Sequence, residues 1–304
     1  MKNPLVVILG PTASGKTSFA VKLADKTNSE IISADSRQIY REMDVGTGKD
    51  LSEYQIGNKF IPYHLIDILD PNEDYSVYQF KQDFFQCFDS LKEQNKNVIL
   101  CGGTGLYIES ILLNYDIPHI APNVKLRKTL SKLTKEELIE QLKKIDNSKF
   151  KPEFHTTVRR IIRTIEIIKN IKKKGEKLDK IVSIPNYKVF GLKIQRECLL
   201  SKIESRLNSR FNAGMIEEVE KLVEHGMTLN RLKYFGLEYK IVGEYLFNQI
   251  DFHDMKLKLK FAINRFSKRQ MTFFRRMEKR GINIEWIDIN DYQNINQFIN
   301  KYSL

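Results

Sequence analysis

Eight consecutive residues, Gly10, Pro11, Thr12, Ala13, Ser14, Gly15, Lys16 and Thr17, follow the spacing G-x-x-x-x-G-K-S/T. That spacing builds a phosphate cradle when a strand precedes it and a helix follows. The glycines let the backbone curl so that N–H groups point at anionic oxygens, and Lys16 adds a mobile cation. The Thr17 hydroxyl is placed to hold Mg²⁺. Both flanks are present: the apolar run at 5–9 reads as a strand, and a helical pattern follows Thr17. The expected ligand is a di- or triphosphate. The loop fixes the phosphate and leaves the reaction open.

Further groups of residues carry chemistry. The segment 30–40 reads as a buried strand ending in Asp35, Ser36, Arg37 and Gln38, groups suited to a polar substrate. Asp35 is a general base if it reaches a group that loses a proton, or a helix N-cap if it does not. A second strand at 98–100 runs into Gly102, Gly103 and Thr104, which would face the same site; glycine turns of this kind are common in α/β proteins. His64 to Asp67 is the nearest approach to an acidic Walker B strand, and Asp67 there also reads as an ordinary strand-end residue. Among the arginines, Arg159, Arg160 and Arg163 stand at i, i+1 and i+4. On a helix this sets Arg159 and Arg163 on a face opposite Ile161, Ile165 and Ile168. Arg206 and Arg210 are four apart on an amphipathic helix expected over 197–222, and Arg265, Lys268 and Arg269 alternate with Phe261, Phe266, Phe273 and Phe274. Each basic helix is either a grip on phosphates or a solvated face over an apolar core.

Those residues need a scaffold. Strand-type runs at 5–9, 30–33, 63–66, 98–100, 189–192 and 284–287 are mostly separated by helical patterns, which predicts a parallel sheet covered by helices. In such sheets ligands sit beyond the carboxyl ends of the strands, where the cradle, Asp35 and the Gly102 turn all fall. Between 116 and 185 there is little strand character, prolines recur, and the spacings of Leu126, Leu130, Leu133 and of Ile161, Ile165, Ile168 give helices one apolar face each. The expected class is α/β, a P-loop NTPase-like parallel sheet with a helical insertion: core 1–115, insertion 116–185, core 186–304. Lys172, Lys173 and Lys174 are expected to end a helix before Gly175.

Charge separates the parts. Of 50 Lys/Arg and 38 Asp/Glu, 19 basic and 8 acidic residues lie between 121 and 190, so nearly all of the net charge of +12 belongs to the insertion. A near-neutral core with a basic appendage suits a polyanion, because counterion release drives non-specific nucleic-acid affinity. The three cysteines, Cys87, Cys101 and Cys198, are scattered, which argues for a reducing cytoplasm. Dispersed histidines such as His64 and His225 predict no zinc site, and no apolar run approaches the length of a membrane span.

Taken together, the sequence resembles the tRNA dimethylallyltransferases. The likeness covers most of the chain: the cradle at 10–17, Ser33 through Tyr40, Gly46, Thr47, Gly48 and Lys49, and Gly102 through Tyr107. It continues through Arg159, Arg160, Arg163 and Glu166, then Arg196, Glu197 and Arg206, and finally Arg265, Arg269 and Gln270. The resemblance implies transfer of a dimethylallyl group from dimethylallyl diphosphate to N6 of the adenosine adjacent to the anticodon, position 37, with Mg²⁺ and the tRNA anticodon stem-loop as partner. In that setting the cradle holds a leaving diphosphate. Asp35, Thr104 and Arg206 become the catalytic candidates. Asp35, Ser36, Arg37, Gln38, Thr104, Arg127, Arg159, Arg160, Ile161, Ile162 and Arg163 become the tRNA-binding ones. No zinc-finger extension of the kind some eukaryotic members carry is seen, so a bacterial-type, cytoplasmic enzyme is expected, a monomer and not membrane-bound. The competing readings are a small-molecule P-loop kinase with an enlarged basic lid, and a nucleic-acid-binding ATPase.

Overall fold

The computed structural model describes residues 4–115, 118, 120–174, 184, 186–288, 290 and 295–304. In chain order the elements begin with β1 (Leu5–Leu9), α1 (Lys16–Thr27), β2 (Ser29–Ser33), β3 (Gln55–Ile56), β4 (Lys59–Phe60), β5 (Tyr63–His64), α2 (Val77–Glu93), β6 (Asn97–Gly102) and α3 (Gly105–Leu112). Then follow α4 (Val124–Leu130), α5 (Lys135–Asp146), α6 (Val158–Lys174), β7 (Tyr187–Lys193), α7 (Arg196–Asn212), α8 (Met215–Glu224), α9 (Leu229–Tyr234), α10 (Leu237–Leu246), α11 (Phe252–Lys279), β8 (Ile284–Asp288) and α12 (Ile295–Tyr302). The chain divides into two compact units, Met1–Tyr115 with Ser183–Leu304, and Asp116–Val182. Asp116, Gly175 and Pro185, which marked the expected limits of the insertion and the end of its last helix, lie outside the described residues. Among the described residues no helix is long and apolar enough to cross a membrane.

The larger unit is built on a six-stranded sheet in the order β5-β2-β6-β1-β7-β8, every pair parallel. All six expected strands are present. β1 shows why an unbroken apolar run folds this way: Leu5, Val7 and Leu9 enter one core while Val6 and Ile8 enter another on the opposite face. Side chains alternate across a strand, so a strand covered on both faces must be apolar throughout. Burying each contributes roughly 2 kcal/mol. Helix α2 seals the first core with Phe80, Phe84, Phe88 and Leu91, one stripe at helical spacing, and a Ser76–Gln79 capping box fixes its start.

Register places the chemistry on one sheet edge. Leu9 pairs with Gly102 and Ser33 with Cys101, so Gly10, Asp35 and Thr104 all emerge at carboxyl ends of adjacent strands. The approach of β2 and β6 is close enough to dictate glycine: a Cβ on Gly102 would lie 2.2 Å from the Ala34 carbonyl oxygen. Two backbone bonds lace the ends together, Ala34 N–H to the Cys101 carbonyl at 2.7 Å and Thr104 N–H to the Ala34 carbonyl at 3.1 Å.

Two elements differ from expectation. The helix anticipated over 197–222 is two helices, α7 and α8, parted at Gly214, whose φ of 89° is the left-handed conformation that glycine adopts without strain. The hairpin β3–β4 escaped notice because its four residues are exposed and carry no apolar alternation.

The smaller unit has its own core of Leu130, Leu138, Leu142, Ile161, Ile162, Ile165 and Ile168, with Leu126 and Leu133 against it. Its polar centre is Glu166. Arg127 donates to both carboxylate oxygens at 3.0 and 2.8 Å, Arg163 donates to one at 2.7 Å, and the Asn123 N–H donates at 2.5 Å. Burial opposes this carboxylate's charge, but the bonds from Arg127, Arg163 and Asn123 outweigh it and hold the group below the usual carboxylate range. A carboxyl with a depressed folded pKa lends stability above the unfolded value of about 4.3 and loses it as pH falls through the folded one. Glu166→Gln should therefore loosen this unit by about 1–2 kcal/mol at neutral pH, since it removes the charge-assisted bonds from Arg127 and Arg163, whose guanidinium groups are part-exposed and remain solvated. The same variant should flatten the acid-side loss, read by hydrogen exchange of α4 and α6 amides in the intact protein.

Candidate active site

A cavity of about 420 Å³ opens at the sheet edge. Its lining includes polar side chains, Thr12, Lys16, Thr17, Asp35, Arg206 and Arg210, and apolar ones, Leu106, Phe235, Leu237, Ile263, Phe266 and Phe273. Thr104, Ser36, Arg37 and Gln38 line it too. The structure thus brings together the cradle, the Asp35 segment, the Gly102 turn and the Arg206 pair.

The cradle has the expected form. Gly15 is left-handed with φ of 82° immediately before α1, and the Ser14 N–H closes a turn on the Pro11 carbonyl at 3.2 Å. Ser14 is 1 % exposed, and its hydroxyl has no partner among the described residues, an acceptor and donor enclosed within the loop. Gly10 and Ala13 complete the curve. Burial lowers the Lys16 ammonium below the ordinary lysine range, with Asp35 acting in the opposite direction. An anion bound beside Lys16 restores its charge, so inorganic pyrophosphate should bind with more proton uptake than in Lys16→Met. Calorimetry at alkaline pH in buffers of different ionisation heat measures that difference. Behind Lys16, the Cys101 thiol packs against its carbonyl at 3.7 Å, and burial pushes that thiol up to about 12.

Asp35 is no helix N-cap, because residues 36–50, which follow it, form no helix. Its Oδ1 accepts the Arg37 N–H at 3.0 Å, a local turn that fixes the carboxylate on the cavity wall. Thr104 does precede a helix, α3, yet its side chain makes no cap bond; the hydroxyl accepts the Ser36 N–H at 3.0 Å and donates to the Ser36 hydroxyl at 3.3 Å. The Gln38 amide is fastened at both ends, accepting from the Ser33 hydroxyl at 3.1 Å and donating to the Gly48 carbonyl at 3.1 Å. Arg37 donates to the Tyr234 carbonyl at 2.6 Å and lies over that ring. Arg206 donates to the Gly48 carbonyl at 3.2 Å and pairs with Asp50.

Sequence reasoning missed the apolar part of the cavity lining, although Phe266 and Phe273 were visible as aromatics between basic residues. Phe274 from the same series is fully buried in the core, and Phe261 is exposed. Gln270 was also missed as a working residue: it accepts the Thr12 N–H at 2.8 Å and donates to the Gly103 carbonyl at 3.0 Å, tying the cradle to the Gly102 turn. The hints were its place in the Arg265 to Gln270 segment that carries the resemblance and its position on the apolar seam of α11. Asp67 pairs with the buried Lys49 and does not line the cavity. Arg269 lines the cavity, whereas Arg265 and Lys268 are exposed.

In the smaller unit, Arg159 is exposed. Arg160 reaches the Phe154 carbonyl at 3.2 Å and Thr156 at 3.1 Å. Arg127 and Arg163 are held by Glu166, and Ile161 and Ile162 are core residues. The i, i+4 spacing gave the helix face of Arg163 and could not show that its guanidinium turns to an internal carboxylate.

A family model for IPP transferase matches residues 38–277, well over half of the chain. The chain belongs to the IPP transferase family. It is 46 % identical over 302 residues to tRNA dimethylallyltransferase 1 of Azobacteroides pseudotrichonymphae, covering 98 % of this chain and 97 % of that one. It is also 46 % identical over 286 residues to tRNA dimethylallyltransferase 1 of Parabacteroides distasonis, covering 93 % and 92 %. Among solved structures, the full-length tRNA isopentenylpyrophosphate transferase of Bacillus halodurans superposes with a TM-score of 0.70 at 30 % identity, over 99 % of this chain and 94 % of that one. A eukaryotic dimethylallyltransferase acting on tRNA shares the fold, with a TM-score of 0.75 at 20 % identity over 98 % and 79 %. Like other IPP transferases, the protein is a prenyltransferase with a P-loop-type parallel sheet.

Proposed function

We propose that this protein moves the dimethylallyl group of dimethylallyl diphosphate onto N6 of the adenosine next to the anticodon, position 37, in tRNA, releasing diphosphate. The observation that carries the reading is one cavity lined by the anion cradle, by aromatic and aliphatic side chains and by the Asp35 carboxylate, which is fixed on the Arg37 N–H. An allylic diphosphate uses both features, the cradle for its diphosphate and the apolar side chains for its dimethylallyl group. The relatives named tRNA dimethylallyltransferase favour this reading over a kinase.

In the reaction the donor's C1–O bond breaks, its electron pair leaving with the diphosphate. The N6 lone pair forms the new C1–N bond, and a proton leaves N6 for the Asp35 carboxylate. Adenine N6 is a weak nucleophile because its lone pair is delocalised, so proton removal by a fixed base matters. Charge growing on the leaving group meets the cradle N–H groups, Lys16 and Arg206, donors already in place before it develops. Thr17 fits Mg²⁺, since its hydroxyl lines the cavity and this cation takes its other oxygens from phosphate and water; bound there it would further neutralise the diphosphate. To reach Asp35 the base must leave its stack, which costs less in an RNA loop than in a duplex. Ser36, Thr104 and the second N–H of Gln38 face its edge.

The basic insertion supplies phosphate contacts, with the exposed Arg159 the best candidate among its arginines. Arg159→Ala should weaken binding of an anticodon stem-loop and flatten the salt slope by about one unit; Arg163→Ala should act mainly on stability. The function itself is tested with unmodified tRNA, labelled dimethylallyl diphosphate and Mg²⁺, beside an ATP control. Label incorporated at the adenosine with ATP untouched is the expected result. Orthophosphate released from ATP without prenyl transfer would overturn it.

A further inference from the structure

The loop between Tyr40 and Leu51 carries no helix or long strand, yet Gly46, Thr47 and Gly48 form one wall of the cavity. An irregular segment holds its shape only if its backbone groups are bonded. Here three successive N–H groups are bonded by one side chain far along the sequence. Glu218, in the first turn of α8, accepts the N–H of Asp44 at 2.8 Å and of Val45 at 2.7 Å on Oε2, and the N–H of Gly46 at 2.9 Å on Oε1. The Tyr239 hydroxyl donates a fourth bond to Oε1 at 2.6 Å, and burial together with Glu218 raises that phenol's pKa, so it remains a donor. From the other side Lys49, 1 % exposed, donates to the Tyr40 carbonyl at 2.6 Å and to Asp44 at 2.6 Å and pairs with Asp67.

The loop's outward product is the Gly48 carbonyl. It accepts from Gln38 at 3.1 Å and from Arg206 at 3.2 Å, one residue facing the base and the other the leaving group. We propose that Glu218 is a positioning residue: by gathering three successive N–H groups it sets the Gly48 carbonyl, which in turn orients Gln38 and Arg206 together. A bond to an ionised acceptor is about twice as strong as a neutral one, and four of them converge here. This inference rests on the proposed prenyl transfer only for its kinetic readout.

Glu218→Gln replaces one acceptor oxygen by a donor that opposes the loop's N–H groups. Its kcat per folded enzyme should fall about tenfold to a hundredfold, the scale expected when a catalytic group is displaced by about 1 Å. KM for tRNA should stay within about twofold, because the loop provides only the aim of two side chains. Amides 44–46 should exchange faster than in the parent while the melting temperature moves little. A double-mutant cycle separates positioning from general weakening: Glu218→Gln and Gln38→Ala share one route, so the double variant should be little worse than the poorer single. Effects that multiply, or a kcat equal to that of the parent, would overturn the inference. If Glu218→Gln fails to fold, Glu218→Asp keeps the charge but is too short for all three N–H groups, and the same cycle decides. Should the parent protein transfer no prenyl group, the functional reading falls, and amide protection at 44–46 still tests the clamp.

Discussion

Asp35→Asn should leave affinity for the anticodon stem-loop within about twofold while prenyl transfer falls roughly 10²–10⁴-fold, the usual contribution of a positioned general base. Asparagine keeps the size of the side chain and its Oδ1, so the turn onto the Arg37 N–H survives. It cannot accept the N6 proton. Single-turnover transfer with saturating tRNA isolates the chemical step, and retained speed would remove Asp35 from that role. The identity of the neighbouring groups sharpens the expectation: Thr104 is already bonded to both the N–H and hydroxyl of Ser36, which leaves Asp35 as the strong proton acceptor on that stretch of wall.

Gly102→Ala should be the most damaging single methyl group in the molecule's core. Its Cβ would sit 2.2 Å from the Ala34 carbonyl oxygen and 2.8 Å from the Ala34 Cα, and both are backbone atoms of a buried strand end that cannot swing aside. Overpacking of this kind costs about 1–3 kcal/mol and occasionally more, and the upper end applies because no flexible side chain absorbs the strain. The site suffers as well, since Asp35 follows Ala34 directly and the Thr104 N–H is bonded to the displaced Ala34 carbonyl. Denaturant unfolding with the transfer assay checks the expectation: stability and kcat should drop together. Gly57→Ala, where a Cβ meets nothing within 4 Å but φ is 58°, should cost only the smaller strain of a left-handed residue and leave transfer unchanged.

Much of this architecture could be read from the chain because it obeys periodicity. Leu5 to Leu9 must be a strand covered on both faces, and the cradle that follows can fold only between a strand and a helix. Glycine and aspartate at the ends of such strands then mark a ligand crevice. What could not be read depends on partners distant in sequence. Gln270 meets Thr12 across 258 positions, and Glu218 meets Val45 across 173; neither leaves a spacing signal. The break at Gly214 was hidden because the apolar stripe of α7 resumes in α8 with little change of phase. In the insertion, helix spacing identified the buried isoleucines Ile161, Ile165 and Ile168 correctly but gave no sign that Glu166 captures Arg127 and Arg163. A charge count finds basic residues; it does not say which of them are already spent on neutralising a buried acid.

The three thiols sit in unlike surroundings, with a practical outcome for measuring motion and binding. Cys101 is sealed behind the cradle with its thiol pushed up to about 12, Cys87 is half-buried and pushed up to about 11, and Cys198 on α7 is exposed. Since alkylation proceeds through the thiolate and needs access, a maleimide fluorophore should attach at Cys198 first, two turns of helix before Arg206. The unaltered chain thereby accepts a reporter dye on the helix that brings Arg206 to the cavity, and no cysteine has to be added or removed.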